Sequence, residues 1–309
     1  TFGEFIAGLG ERLDAPSSWL SLVNPQWAIV VCLAAAMFAG YFDDKSLHPW
    51  GRTKKGLMDA AIAFVAACFL CGFQSVAIWL PFWKDPVVLA WWAYVLMAVP
   101  VLWFTMNATN CSDGVDGLAG TLTLMSLFAL AVFLYGVVGH QEIARYLLVP
   151  HNPEGARWAI LVATFAGSIA GYLWYNAQPS LVLMGDAGSR FLGLLVGVAV
   201  LTCGNPFLVL VVAPIVLVNG GTGLFKIFLL KMLARLGFDT TNPNLPAPAA
   251  SETVRKPCWL ARQLHKVRFP LHDHCRTNLH WSNPQVLMRF VLVQAVAMPI
   301  LFLILVKIR

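Results

Sequence analysis

The sequence predicts an all-α, polytopic integral membrane protein on three observations. Of 309 residues, 59% are hydrophobic and only 12% are charged, against about 25% charged in soluble domains. Mean hydropathy is +0.70. Eight apolar stretches approach the ~20 residues a bilayer requires. Lipid offers no partner to an unpaired backbone group, so each stretch is expected to be a helix.

In order, the stretches are 24–42, 59–80, 87–104, 119–139, 158–177, 189–203 (short), 205–233 and 286–307. Glu4, Glu11, Arg12 and Asp14 interrupt residues 1–23, which read as an interfacial helix or a loop. The chain begins at Thr1, and residues upstream are expected. The seventh stretch has a weak point at Asn219-Gly220-Gly221, a kink or an opening for a lipid tail. Residues 234–285 form a long loop, Pro-rich over Asn242–Pro248, within a single domain spanning 1–309. A loop this long is usually functional or disordered. Cys68-Phe-Leu-Cys71 is a formal C-x-x-C inside an apolar run. It lacks the βαβ context of a redox motif, so both read as small apolar residues.

If each stretch crosses once, the loops 43–58, 105–118, 178–188 and 234–285 share one face. Together with the 219–233 extension they hold thirteen Lys and Arg; the opposite face and the termini hold six. Basic loops stay in the cytoplasm, so these four loops are expected there. Most of the formal charge of +6 belongs to the loops on that side, and it does not point to nucleic acid.

The chemistry-bearing residues all fall on that face. They are Asp43-Asp44, then Asp113 and Asp116 within Asn107–Gly120, then Asp186 in Met184-Gly185-Asp186-Ala187-Gly188, and finally Pro270-Leu271-His272-Asp273-His274. Carboxylates at a membrane boundary are costly unless paired or bound to a cation. Several on one face point to a hard cation, and Mg²⁺ suits few carboxylates together with phosphate oxygens. His272 and His274 lack the further ligands of a zinc site. Lys54 and Lys55 would meet phosphate or anchor the chain at the membrane. Joining a phosphorylated soluble donor to a lipid phosphate needs this charge arrangement more than covalent machinery.

Five stretches carry a resemblance: Phe42-Asp43-Asp44 with Lys54-Lys55-Gly56-Leu57, Asn107–Ala119, Trp174-Tyr175-Asn176, Met184–Ser189 and Pro270–Phe290. In order and spacing they resemble the polyprenyl-phosphate N-acetylhexosamine-1-phosphate transferases, most closely the muramoyl-pentapeptide branch. That family has ten transmembrane helices, and the eight stretches resemble its third to tenth; Thr1-Phe2-Gly3 resembles the remnant of a motif opening its second. The resemblance implies a multi-pass protein of the bacterial inner membrane with a cytoplasmic site. Its substrates would be UDP-MurNAc-pentapeptide and undecaprenyl phosphate, its products lipid I and UMP, its cofactor Mg²⁺, and a homodimer is left open. Asp186 is then the Mg²⁺ ligand. Asp43 deprotonates the lipid phosphate, supported by Asp44, unless an aspartate acts as nucleophile. Lys55 contacts substrate, Asn110, Asp113, Gly114, Asp116 and Asn176 line the uridine and diphosphate end, Leu183 takes the place of a uracil-stacking residue, and His272, Asp273 and His274 hold the sugar nucleotide. Two positions depart from the pattern: Asp273 where the family has a middle histidine, and Leu183 where it has a Phe. A GlcNAc-1-phosphate transferase is the close alternative. A proton-coupled transporter would place its acids at mid-membrane, within repeats.

Overall fold

The computed structural model describes residues 24–48, 50–241 and 258–308. The readings for residues 1–23 and for the Pro-rich stretch 242–248 lie outside the described residues. The fold is all-α. The described residues include seven helices long and apolar enough to cross a membrane.

Helix α1, Pro25–Lys45, starts where Asn24 accepts from Gln26 N at 2.9 Å with proline in the first turn, a strong start signal. Helix α2, Arg52–Cys71, ends at Gly72, whose left-handed φ of 55° suits a residue without Cβ. The sequence reading placed this span at 59–80. Instead, the helix begins seven residues earlier and stops at 71. Its charged start and Asp59 keep it outside the seven apolar spans. The chain then forms a two-stranded antiparallel hairpin, β1 Val76–Ile78 and β2 Val87–Leu89.

Helix α3, Trp91–Ser112, starts after that hairpin and runs eight residues past the expected end. Asn107 and Asn110 therefore lie on a helix, and only Asp113–Gly117 is loop. Helix α4, Leu118–Phe133, runs into a wide turn at Leu134–Val138. A short α5, Gln141–Tyr146, leads to α6, Gly155–Asn176. Helix α7, Gly185–Thr202, is buried on nearly every side beyond its first turn. It packs closely on α3, because Cβ atoms at Gly193 and Gly197 would fall 2.5 Å from atoms of Thr105 and Met106. Small residues let membrane helices approach this closely.

The seventh stretch is broken more than the sequence showed. It consists of α8 Leu208–Val212, α9 Pro214–Val216, a wide turn Leu217–Gly221 and α10 Thr222–Arg235. A Cβ at Gly220 would lie 2.0 Å from Ala108 O, so the turn sits hard against α3. Helices α11 Trp259–Lys266 and α12 Leu271–Asn278 follow, before α13 Asn283–Ile308. Helix α13 is mostly exposed. Its buried Gln294 donates to Leu122 O at 2.7 Å, tying it to α4.

Candidate active site

The site forms where α1, α2, α3 and α7 end on one face. Gly40 lets α1 meet the start of α7: a Cβ there would lie 2.4 Å from the Asp186 carbonyl. Asp44 Oδ2 then accepts from Asp186 N at 2.9 Å, a carboxylate at a helix N-terminus, where the dipole favours it. Gly185, at φ 63°, makes the turn, and a Cβ there would run into Asp44 Oδ2.

Asp43 and Asp186 share a cation. Lys55 pairs with Asp43 Oδ2 and donates to Asp186 Oδ2 at 3.2 Å. Asp43 is only 3% exposed, and its Oδ1 accepts from Trp50 N at 2.9 Å. Asn110 donates to Asp186 Oδ1 at 2.9 Å and to Ser189 Oγ at 3.0 Å.

Beneath this layer lies a pair absent from the sequence reading. Arg190 donates to Asp59 Oδ1 at 2.7 Å and to Asp186 Oδ2 at 3.3 Å, with Asp43 Oδ2 at 3.6 Å. Asn107 donates to Asp59 Oδ2 at 3.2 Å. Two signals pointed here: one acid and one base each inside an apolar helix, and Arg190 four residues after Asp186, on the same helical face.

The acidic loop closes the other side. Burial, then the charges of Asp186, Asp116 and Asp44, push Asp113 up to about 6. Asn176 is buried and braces the loop: its Oδ1 accepts from Gly117 N and its Nδ2 donates to Val182 O, both at 2.7 Å. Both ends of that amide are thus engaged within the fold. Leu183 is 76% exposed beside the site. Gly114 carries the His272 ring against it. Asp273 and His274 are half-buried, and His274 Nδ1 accepts from Arg268 N at 3.3 Å.

Asp43, Asp59 and Asp186 thus pair with two buried or half-buried cations, Lys55 and Arg190, while Asp44, Asp113 and Asp116 lie near enough to Asp186 or to one another to add negative charge. That surplus of negative charge fits a divalent cation bound with a phosphorylated ligand. Among the described residues no three His, Cys, Asp or Glu side chains form a ready metal cluster. Asp186 would therefore take ligand oxygens as further partners.

Two apolar grooves flank the site. One, of about 690 Å³, is lined by Ala60, Val99, Pro100, Trp103, Phe104 and Val209. The other, of about 380 Å³, shares Trp103 and Phe104 and runs along Leu224, Phe225 and Phe228 of α10. Trp103 Nε1 donates to Gly56 O at 3.0 Å, which places the shared wall one residue from Lys55.

The glycosyl transferase family 4 pattern matches residues 26–204, more than half of the chain. The chain belongs to that family. It is similar to the phospho-N-acetylmuramoyl-pentapeptide-transferase of Treponema pallidum (strain Nichols), 42% identical over 279 residues, covering 88% of this chain and 70% of that protein. The protein of that name from Nitratidesulfovibrio vulgaris (strain DP4) is 32% identical over 71% of this chain and 61% of its own length. The one from Desulfosudis oleivorans is 28% identical over 94% and 75%. Family and relatives make the chain a membrane enzyme, a glycosyl-1-phosphate transferase.

Proposed function

We propose that the chain transfers phospho-MurNAc-pentapeptide from UDP-MurNAc-pentapeptide to undecaprenyl phosphate at the cytoplasmic face of a bacterial inner membrane, giving lipid I and UMP. The observation that carries this is Lys55 bridging Asp43 and Asp186 beside an apolar groove, in a chain whose relatives bear that activity's name.

The lipid tail lies in the groove along Trp103 and Phe104, which brings its phosphate to Lys55. As Lys55 turns to that phosphate, Asp43 Oδ2 loses its shared cation and accepts the phosphate proton. The freed oxygen forms a bond to the sugar-bearing phosphorus, and the bond from that phosphorus to the UMP oxygen breaks. Asp44 holds the start of α7, and with it Asp186, in register. Asp186 would hold Mg²⁺, which when bound supplies charge neutralisation for the diphosphate. Arg190 and Asn110 hold the Asp186 carboxylate in its orientation. Asp116, Asp113 and Gly114 face the nucleotide, with Asn176 bracing their loop.

The test is incubation of the purified chain with undecaprenyl phosphate and each UDP-sugar while UMP release is followed. Release with UDP-MurNAc-pentapeptide is expected. Release with UDP-GlcNAc alone would move the chain to the GlcNAc-1-phosphate branch.

A further inference from the structure

Asn219 stands in the wide turn of the broken span, fully buried, and meets the equally buried His272 of α12. Its Oδ1 accepts from the His272 backbone N–H at 2.9 Å. That contact identifies which end of the amide carries oxygen, because a backbone N–H only donates. The same oxygen lies 3.1 Å from ring Nδ1. Two acceptors make no hydrogen bond, so Nδ1 carries a proton. Burial holds His272 below the usual imidazole range, with Arg276 adding to it and Asp273 opposing. A neutral ring with Nδ1–H leaves Nε2 as a bare lone pair. Nε2 faces the acidic loop, where a Cβ at Gly114 would lie 2.1 Å from it. Asp273 Oδ1 is 3.8 Å away, beyond hydrogen-bond reach. The turn that carries Asn219 is itself pinned by Gly220 against Ala108 O.

We propose that Asn219 is a positioning residue that fixes His272 as the Nδ1–H tautomer, so that Nε2 meets the sugar nucleotide as a hydrogen-bond acceptor. This rests on the transferase reading above. The partner at Nε2 is then a hydroxyl or amide N–H of the sugar nucleotide. A phosphate oxygen does not fit, since both atoms would be acceptors. The broken span thus does two things: α10 walls the lipid groove, and the turn before it sets the tautomer at the sugar-nucleotide end.

The experiment uses the full chain with ¹⁵N-labelled histidine rings, the His272 signals being assigned by their loss in His272→Gln. The expected spectrum has Nδ1 protonated and Nε2 not. Asn219→Asp keeps an acceptor oxygen and is expected to keep both the tautomer and KM for the UDP-sugar. Asn219→Leu removes it; KM should rise about 3–10-fold, the worth of one hydrogen bond, while kcat stays within about twofold. A wild-type spectrum with the proton on Nε2 overturns the proposal, whether or not the variants fold. So does a folded Asn219→Leu with wild-type KM, or equal impairment of both variants, which would make Asn219 a packing residue. A wild-type chain that releases no UMP from any UDP-sugar overturns the transferase reading, while the spectrum still decides the tautomer.

Discussion

Removing the Arg190 guanidinium tests how the site is supported from below. Its side chain is 3% exposed and that of Asp59 is 1%, with the two 2.7 Å apart. Arg190→Leu leaves the buried Asp59 carboxyl without its cation, with the Asn107 amide as its remaining donor. Removing one partner of a buried pair costs about 3–5 kcal/mol, whereas replacing both by apolar groups is often neutral. Arg190→Leu is therefore expected to destabilise by roughly that amount, about two to four decades in the folding equilibrium. Asp59→Leu should cost less, because Arg190 keeps Asp186 at 3.3 Å and Asp43 at 3.6 Å. The double variant Asp59→Leu/Arg190→Leu should recover most of the loss, since Lys55 still pairs with Asp43 and Asp186. The assay is thermal unfolding of the purified full chain and its three variants, with UMP release in parallel. The reasoning fails if Arg190→Leu melts with wild type, or if the double variant melts as low as Arg190→Leu.

Asp186→Asn is expected to lose nearly all turnover without rescue by added Mg²⁺, because an amide coordinates but does not offset charge, while Asp43→Asn should keep Mg²⁺-dependent nucleotide binding and lose turnover. Binding and UMP release on one preparation of each variant check this; normal Mg²⁺ binding and turnover in Asp186→Asn would refute the metal assignment. Asp113 titrates at about 6 in the folded chain, above the ordinary carboxylate value near 4, so the folded state holds its proton more tightly. Its stabilising contribution is complete below about pH 4 and is lost as pH rises through about 6. Between those values melting temperature should fall with pH by an increment that Asp113→Asn lacks, and identical curves would sink the reading. For sidedness, Leu47 is 98% and Tyr146 85% exposed, next to the site and beyond the far end of α4 respectively. An impermeant thiol reagent on intact cells should label Tyr146→Cys and spare Leu47→Cys. Both are better reporters than native Cys275, which is buried.

Composition and apolar run length set the fold class by themselves, because the bilayer imposes helices of one length on any such chain. The alternation of spans placed the acidic loops on one face, and the structure brings Asp44, Asp113, Asp186 and His272 together there. Motif order carried the family resemblance for the same reason: the chemistry needs its carboxylates in short, polar, recognisable loops. Element ends were misplaced where polar residues belong to a helix, as at Asn107 and Asn110, whose amides serve Asp59 and Asp186 across the helix contact. The Arg190–Asp59 pair joins residues 131 apart in sequence, and Asn219 meets His272 across 53. No local pattern encodes such pairings. They exist because glycines at 40, 193 and 220 let helices approach until buried polar groups must find partners, and only the tertiary packing decides which partners those are.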